Sequence, residues 1–199
     1  MKLIYTASQV REAEKPYIEA ADYDGYLMQR AADAVAAEAQ ELLHGKDTAK
    51  ILLLIGPGNN GADTIYAGAR LSAKGHRVDA VIFDPSEKNL ELIAREGGEG
   101  TRVLDPEHTL EHLAGYDLTI DGILGTGSSG AVRGNAGEYL GVLRAAQLDG
   151  KLGAVLAVDT PSGVDNNRGT VHEPSLHADR TVTFIGHKLP AGTSHRVHS

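Results

Sequence analysis

Three polar or glycine-rich turns each follow an apolar run and carry side chains that can bind a ligand. The first, GPGNNG at 56–61, comes after the unbroken apolar run 51–55 and precedes a predicted helix. Such a run is typical of a strand buried on both faces of a parallel sheet. Free backbone N–H groups at the start of the following helix would attract an anion, above all a phosphate. Two amides and the nearby Asp63 make this turn unusually polar for a simple connection.

The first turn also matches the dinucleotide-binding pattern G-x-G-x-x-G. Asp84 lies at the end of the next predicted strand, close to where such folds place a ribose-binding acid. The pattern leaves three interpretations open: a dinucleotide, another phosphate or polar ligand, or a tight turn that needs glycine for its backbone angles alone. An NAD-dependent oxidoreductase is therefore one candidate function.

A second turn, GTGSSG at 125–130, repeats the pattern after the predicted strand 117–124. Both turns would lie at the carboxyl ends of their strands, where open parallel sheets bind ligands. The strand before this second turn contains Asp121. A buried carboxylate is costly unless it is hydrogen-bonded or paired with a cation. Asp121 is therefore either a ligand for a cation or a structural hydrogen-bond acceptor.

The third turn, DTPSG at 159–163, follows another apolar strand. Asp159 has the chemistry of a general acid or base, although the same letters fit an ordinary proline-glycine turn. Asn60, Asp121 and Ser162 all offer hard oxygen donors at one edge of the predicted sheet. If they converge, an alkali or alkaline-earth ion would suit them better than zinc.

A different metal pattern, H-x-x-E-H, occurs at His108, Glu111 and His112. It is typical of one class of zinc peptidase. Here it falls in a short polar helix directly after Pro106, far along the chain from the glycine-rich turns. We interpret it as the solvated face of that helix.

The elements that must position these turns alternate between strand and helix along the chain. Apolar runs predict strands at 51–55, 77–83, 101–104, 117–124, 153–158 and 180–185, with helices between most of them. Two helices, at 7–21 and 26–43, precede the first strand. Alternation at this spacing predicts an α/β fold with a mainly parallel sheet and helices on both faces.

The amino-acid composition excludes several classes of function and of site. The chain has 199 residues, a net charge of −8 and no cysteine. An acidic chain without a Lys/Arg cluster does not fit nucleic acid as a main partner, and the lack of cysteine excludes disulfides and thiolate metal sites. No apolar run is long enough to span a membrane, and the N-terminal segment does not fit a signal peptide. We expect a cytoplasmic protein with one domain, 1–199.

Five segments, in order along the chain, together resemble one family, the NAD(P)H-hydrate epimerase or YjeF N-terminal domain. These segments are LMQRA at 27–31, GPGNNGAD at 56–63, DGILGTG at 121–127, VDTPSGV at 158–164, and ADRTVTF at 178–184 followed by Lys188. Five segments are far more specific than either glycine-rich turn. The resemblance implies a Rossmann-like three-layer αβα sandwich.

The resemblance also implies an activity, the interconversion of the R and S hydrates of NADH and NADPH. It implies a bound potassium ion at Asn60, Asp121 and Ser162, and Asp159 is the expected general acid and base. The hydrated nucleotide is expected to contact Asn59, Asn60, Gly61, Ala62, Asp63, Gly125, Thr126, Gly127, Ser128, Ser129, Gly130, Ala131 and Asp159. A homodimer is a further expectation, since relatives often form one.

The chain departs from the family pattern at three positions. Ala62 and Thr64 stand where the family has glycine, so each adds a Cβ near the substrate or the turn, and Gln29 replaces a glutamate. We expect no fused dehydratase domain, which some relatives carry. These departures keep a second hypothesis open, a relative that binds the nucleotide without catalysis.

Overall fold

The computed structural model describes residues 7–19, 25–97, 100–125, 130–165, 168–184 and 195–198. The helices are α1 Ala7–Ile18, α2 Tyr26–Leu42, α3 Asn59–Ala73, α4 Glu87–Glu96, α5 Pro106–Leu110 and α6 Gly134–Leu148. The strands are β1 Lys50–Ile55, β2 Arg77–Ile82, β3 Thr101–Val103, β4 Leu118–Gly122, β5 Ala154–Val158, β6 Val164–Asp165, β7 Thr170–Val171, β8 Arg180–Phe184 and β9 His195–His198.

Seven of these strands form one sheet in the order β3-β2-β1-β4-β5-β8-β9. All of its described pairs are parallel. From β1 the chain moves outward through β2 and β3, then returns to β4 on the other side of β1. The strand order therefore reverses between β1 and β4, and the carboxyl ends of strands at such a point form the usual ligand crevice of an open α/β sheet.

Helices cover both faces of the sheet because the side chains of β1 alternate between them. Ile51, Leu53 and Ile55 pack in one cluster with apolar residues of α2 and α3. Leu52 and Leu54 pack in a second cluster with apolar residues of α6. All five side chains are fully buried, as expected of a central parallel strand. The predicted fold class, a three-layer αβα sandwich with a mainly parallel sheet, is confirmed.

Three local features differ from the sequence expectation. Helix α6 begins at Gly134, although the glycine-rich segment before 138 predicted a loop. The short antiparallel pair β6 and β7 follows the third polar turn and was not predicted. Strand β9 pairs in parallel with β8, so the strand at 180–184 is not the last one of the sheet. In the described part of the chain, no helix combines the length and apolarity needed to cross a bilayer.

Candidate active site

The loops that follow β1, β4 and β5 converge on the side chain of Asn60. Its amide nitrogen donates to the carbonyl oxygen of Leu124 at 3.1 Å and to that of Val158 at 2.7 Å. Leu124 follows β4 and Val158 is the last residue of β5, while Asn60 lies in the first turn of α3, after β1. Both amide hydrogens of one side chain thus join the ends of three strands.

Asp121 and Ser162 form a second connection directly between β4 and the loop after β5. The Ser162 hydroxyl donates to Asp121 Oδ1 at 2.6 Å, and the Ser162 backbone N–H donates to Oδ2 at 2.8 Å. The same hydroxyl accepts a hydrogen bond from the Leu124 N–H at 3.0 Å. Both residues are fully buried. The structure therefore brings together two of the three predicted cation ligands, and Leu124 connects them to Asn60, the third.

The carboxylate of Asp121 is buried among neutral groups. Burial raises the pKa of this carboxyl above its ordinary value, and the hydrogen bonds from Ser162 and Ile123 act in the opposite direction. Asp79 is equally buried, yet it pairs with Arg102 at 2.6 Å and with Lys50 at 3.7 Å. The ion pairs found among the described residues include none to Asp121. Its negative charge therefore lies where a bound cation would be stabilised.

Glycines let the first turn approach its neighbours closely. A Cβ on Gly56 would lie 1.8 Å from the Ile123 carbonyl oxygen, and one on Gly61 would lie 2.0 Å from the Gly56 carbonyl oxygen. A Cβ on Gly125 would lie 2.6 Å from Asn60 Oδ1. None of these three residues has a positive φ, so the need for glycine comes from close contact, with backbone atoms at Gly56 and Gly61 and with the Asn60 side chain at Gly125. The glycine pattern thus has a packing cause as well as any role in ligand binding.

Asn89 is a residue of this site that the sequence did not reveal. It lies on α4, is 1% exposed, and its side-chain nitrogen donates to the carbonyl oxygens of Gly56 at 2.9 Å and Gly58 at 3.2 Å. Ser86 caps the same helix by accepting from the Asn89 N–H at 3.3 Å. The Ser86 cap is visible in the sequence, but nothing near Asn89 indicates that it holds a turn more than thirty residues away.

The two extra side chains at the family's glycine positions are both accommodated inside the protein. Ala62 is fully buried and belongs to the apolar cluster shared with α2. Thr64 is also fully buried, and its hydroxyl donates to the Asn60 carbonyl oxygen at 2.7 Å. A Cβ on Gly122 would lie 1.9 Å from this hydroxyl, so Thr64 and Gly122 fit as a large and small pair. The turn forms with both side chains present.

Asp159 has an unusual backbone conformation. Its φ is +67°, in the left-handed region, and the Thr160 N–H donates to the Val158 carbonyl oxygen at 2.8 Å. This three-residue turn with a positive central φ is the rarer, strained form of γ-turn. Asp159 as a whole residue is 8% exposed, and the Thr183 hydroxyl donates to its Oδ1 at 3.3 Å. Strain of this kind concentrates at functional sites, which supports Asp159 as a functional residue.

Some of the remaining predicted ligand-binding residues are described by the structure, on α3 and before α6. Asn59 is exposed at the start of α3, Gly130 has a φ of +92°, and Asp63 is buried. Gly130 and Ala131 precede α6 and are half-buried. Lys188 falls outside the described residues. So do four of the predicted ligand-binding residues, Thr126, Gly127, Ser128 and Ser129.

Comparison with known proteins bears directly on this arrangement. The family model described as "YjeF-related protein N-terminus" matches residues 25–189, which include every strand-end loop of the site.

The chain belongs to this family. Curated relatives support the assignment. The NAD(P)H-hydrate epimerase of Microbacterium testaceum is 36% identical over 182 residues, covering 90% of this chain and 68% of the relative. The bifunctional NAD(P)H-hydrate repair enzyme Nnr of Mycobacterium tuberculosis is 32% identical over 192 residues, covering 94% of this chain. The chain spans 38% of the length of that bifunctional relative.

A solved structure supports the fold of this family member independently. The crystal structure of yeast ynu0 superposes with a TM-score of 0.82, covering 98% of this chain and 88% of the yeast chain at 20% identity. Agreement at so low an identity concerns the fold alone. The predicted membership of the YjeF N-terminal family is confirmed by the family model and the curated relatives.

The packing role of Gly61 gives a testable prediction. Gly61→Ala places a Cβ against the backbone of Gly56, so we expect a loss of about 1–3 kcal/mol in the free energy of unfolding. Gly141→Ala is the matched control, because it also lies within a helix and its Cβ would meet nothing within 4 Å. The control should gain about 0.5–1 kcal/mol, since alanine is the better helix former. Urea unfolding of both variants checks this, and equal stabilities would contradict the packing role.

Proposed function

We propose that this protein is an NAD(P)H-hydrate epimerase, which interconverts the R and S hydrates of NADH and NADPH. The observation that carries the proposal is the convergence of three family motifs on Asn60, Asp121 and Ser162, with Asp159 beside them at the end of β5. The names of the curated relatives give the reaction. That the chain forms a single domain and a homodimer in the cytoplasm stays a prediction.

The substrate would lie across the carboxyl ends of β1, β4 and β5. The first turn of α3 presents the backbone N–H groups of Asn59, Asn60 and Gly61, which suit a pyrophosphate. Helix α3 is 15 residues long, so its dipole favours an anion at this end. The loop 125–131 would contact the rest of the dinucleotide. Asp159 would meet the hydrated ring, because it is the carboxylate held at the end of β5.

Asp159 would act as both acid and base. In the hydrate, C6 carries a hydroxyl beside the ring nitrogen. A protonated Asp159 gives its proton to that hydroxyl, the C6–O bond breaks, and water leaves as the nitrogen lone pair forms a C=N bond. Water then adds to C6 from the other face, and Asp159 accepts a proton from it. One carboxyl group is regenerated, so the atoms and charges balance over the cycle.

Two neighbours would keep Asp159 in position for these transfers. The strained turn at φ +67° fixes where the side chain leaves the backbone, and Pro161 stiffens the segment that follows. The Thr183 hydroxyl, from the adjacent strand β8, limits rotation of the carboxylate through its bond to Oδ1. Rigid placement of a catalytic group matters because a displacement of about 1 Å can lower the rate by about 100-fold.

We further propose that Asn60, Asp121 and Ser162 hold a potassium ion. Their oxygen donors fit a hard cation, and the buried charge of Asp121 has neutral partners in its described contacts. When bound, the ion would supply a positive charge that offsets Asp121 and attracts the anionic substrate. The three residues would also keep the loops after β1, β4 and β5 together, as their hydrogen bonds already do.

A relative that binds the nucleotide without catalysis is the second candidate. The observation that favours it is Thr64, whose hydroxyl bonds the Asn60 carbonyl oxygen where the family has glycine. An NAD-dependent oxidoreductase is a weaker candidate and would use Asp84, which is exposed after β2 with a φ of +44°. Separated R and S hydrates distinguish the three functions: an epimerase exchanges them, a binder protects them without exchange, and an oxidoreductase does neither.

The potassium proposal predicts an ion-dependent stability. At a potassium concentration about ten times Kd, binding would add about 1.4 kcal/mol to the free energy of unfolding relative to choline at equal ionic strength. Asp121→Asn should remove this difference, because the buried negative charge is gone. Asp165→Asn is the control, since this buried carboxylate follows the same loop but pairs with Arg168 at 3.4 Å. Wild-type protein equally stable in potassium and choline would contradict the proposal.

The acid–base role predicts a specific loss of exchange. Asp159→Asn should keep the fold and the substrate affinity but slow interconversion of the hydrates by about 100-fold or more, because the amide cannot transfer the proton. Chromatography of the two epimers measures the rate. Asp84→Asn is the matched control, because it makes the same change at another left-handed aspartate after a strand. Exchange at the wild-type rate in Asp159→Asn would make Asp159 structural.

A further inference from the structure

Three exposed side chains, His108, Glu111 and His112, gather on the surface at the end of α5. One ligand atom from each lies within 4.8 Å of the others. The two imidazole rings have centroids 4.7 Å apart. The predicted exposure of this segment is correct, but the side chains also converge, which a merely solvated helix face does not require. None of these residues belongs to the site described above.

The segment is fixed to the protein on its opposite side. Thr109 is fully buried, donates to the Pro106 carbonyl oxygen at 2.7 Å and meets the hydroxyl of Tyr139 on α6, also at 2.7 Å. Asp105 caps the helix by accepting from the Glu107 N–H at 2.8 Å. The backbone that carries the three exposed side chains is therefore held by the core. Ligand atoms on a fixed backbone lose less freedom when they bind an ion.

The hydrogen bonding of His112 leaves one ring nitrogen suited to a metal. Its Nδ1 lies 2.8 Å from the backbone carbonyl oxygen of His108. A carbonyl only accepts, so Nδ1 carries the hydrogen and Nε2 keeps its lone pair. Metal-binding histidines usually donate their second ring N–H in this way, because the bond fixes both tautomer and ring orientation.

Local charge also favours a cation at this position. Between residues 105 and 112 the chain has three carboxylates and no lysine or arginine. Glu107 and Glu111 lie one helical turn apart, where two like charges are unfavourable without a cation between or beside them. A divalent ion bound by Glu111 would relieve that repulsion.

We propose that His108, Glu111 and His112 form a binding site for a divalent transition-metal ion of the zinc class. Two imidazoles and a carboxylate are ligands that Zn²⁺ accepts, at about 2.0–2.2 Å from the metal, with water at the fourth position. Because all three side chains are exposed, small rotations about their side-chain bonds bring the ligand atoms to these distances. The site is distinct from the potassium site, which offers only oxygen ligands.

The test is a titration of the metal-stripped 199-residue chain with Zn²⁺, monitored by calorimetry. We expect one equivalent to bind, and His108→Ala and His112→Ala each to weaken that binding by at least about tenfold. The estimate follows because even partners in the outer shell of a metal site contribute 10- to 100-fold. Substitution of exposed residues should leave the fold intact, which the thermal midpoint without metal checks.

His177→Ala serves as the matched control, because His177 is exposed and its described hydrogen bonds to Gln147 use only backbone atoms. It should bind Zn²⁺ as tightly as the wild type. Imidazole ¹⁵N spectra give a second readout: Zn²⁺ should shift His112 Nε2, while Nδ1 keeps its hydrogen. Equal affinity in all three variants, or a wild type that binds no Zn²⁺, would overturn the proposal.

Discussion

The candidate site depends on one buried interaction, the pair of hydrogen bonds from Ser162 to the carboxylate of Asp121. Asp121 lies on β4, between Leu54 of β1 and Ala157 of β5. A charged group in the middle of a sheet is stabilised only if its oxygens are satisfied, so the loop after β5 must fold back over it. The Ser162 hydroxyl then reaches the loop after β4 as well, through the Leu124 N–H. Loss of these two hydrogen bonds would leave the buried Asp121 carboxylate poorly satisfied and would release the loop after β5 from β4.

The other contacts of the site extend from this centre. Asn60 crosses from α3 to Leu124 and Val158, and glycine at 56, 61 and 125 allows the approach that this crossing needs. Asn89 then fixes the first turn from the side of α4. Asp159 is held in a left-handed conformation beside this network, with Val182 accepting from its N–H at 2.6 Å. The arrangement gives the proposed acid and base a rigid support, which is what positioned proton transfer requires.

The sequence predicted the parts of this fold that follow from local pattern. The apolar run at 51–55 indicated a buried parallel strand, and the strand ends indicated where Asp121 and Ser162 would lie. The start of α6 was predicted too late because the glycines before residue 138 indicated a loop. Gly137 lies within the helix instead, where it permits close packing: a Cβ there would lie 2.5 Å from the Val132 carbonyl oxygen. Strand β9 and the contacts of Asn89 depend on pairing between distant segments, for which a single sequence carries no periodic signal.

The most direct measurement is a map of backbone amide signals during titration with a hydrated nicotinamide dinucleotide. If the substrate lies across β1, β4 and β5, the signals of Asn59, Gly61, Gly125 and Asp159 should move together with one apparent affinity. A dinucleotide bound in the manner of an oxidoreductase would also cross the point between β1 and β4 where the strand order reverses, but its ribose would reach Asp84 after β2. Movement of the Gly61 and Asp84 signals, with the Asp159 signal unchanged, would contradict the account.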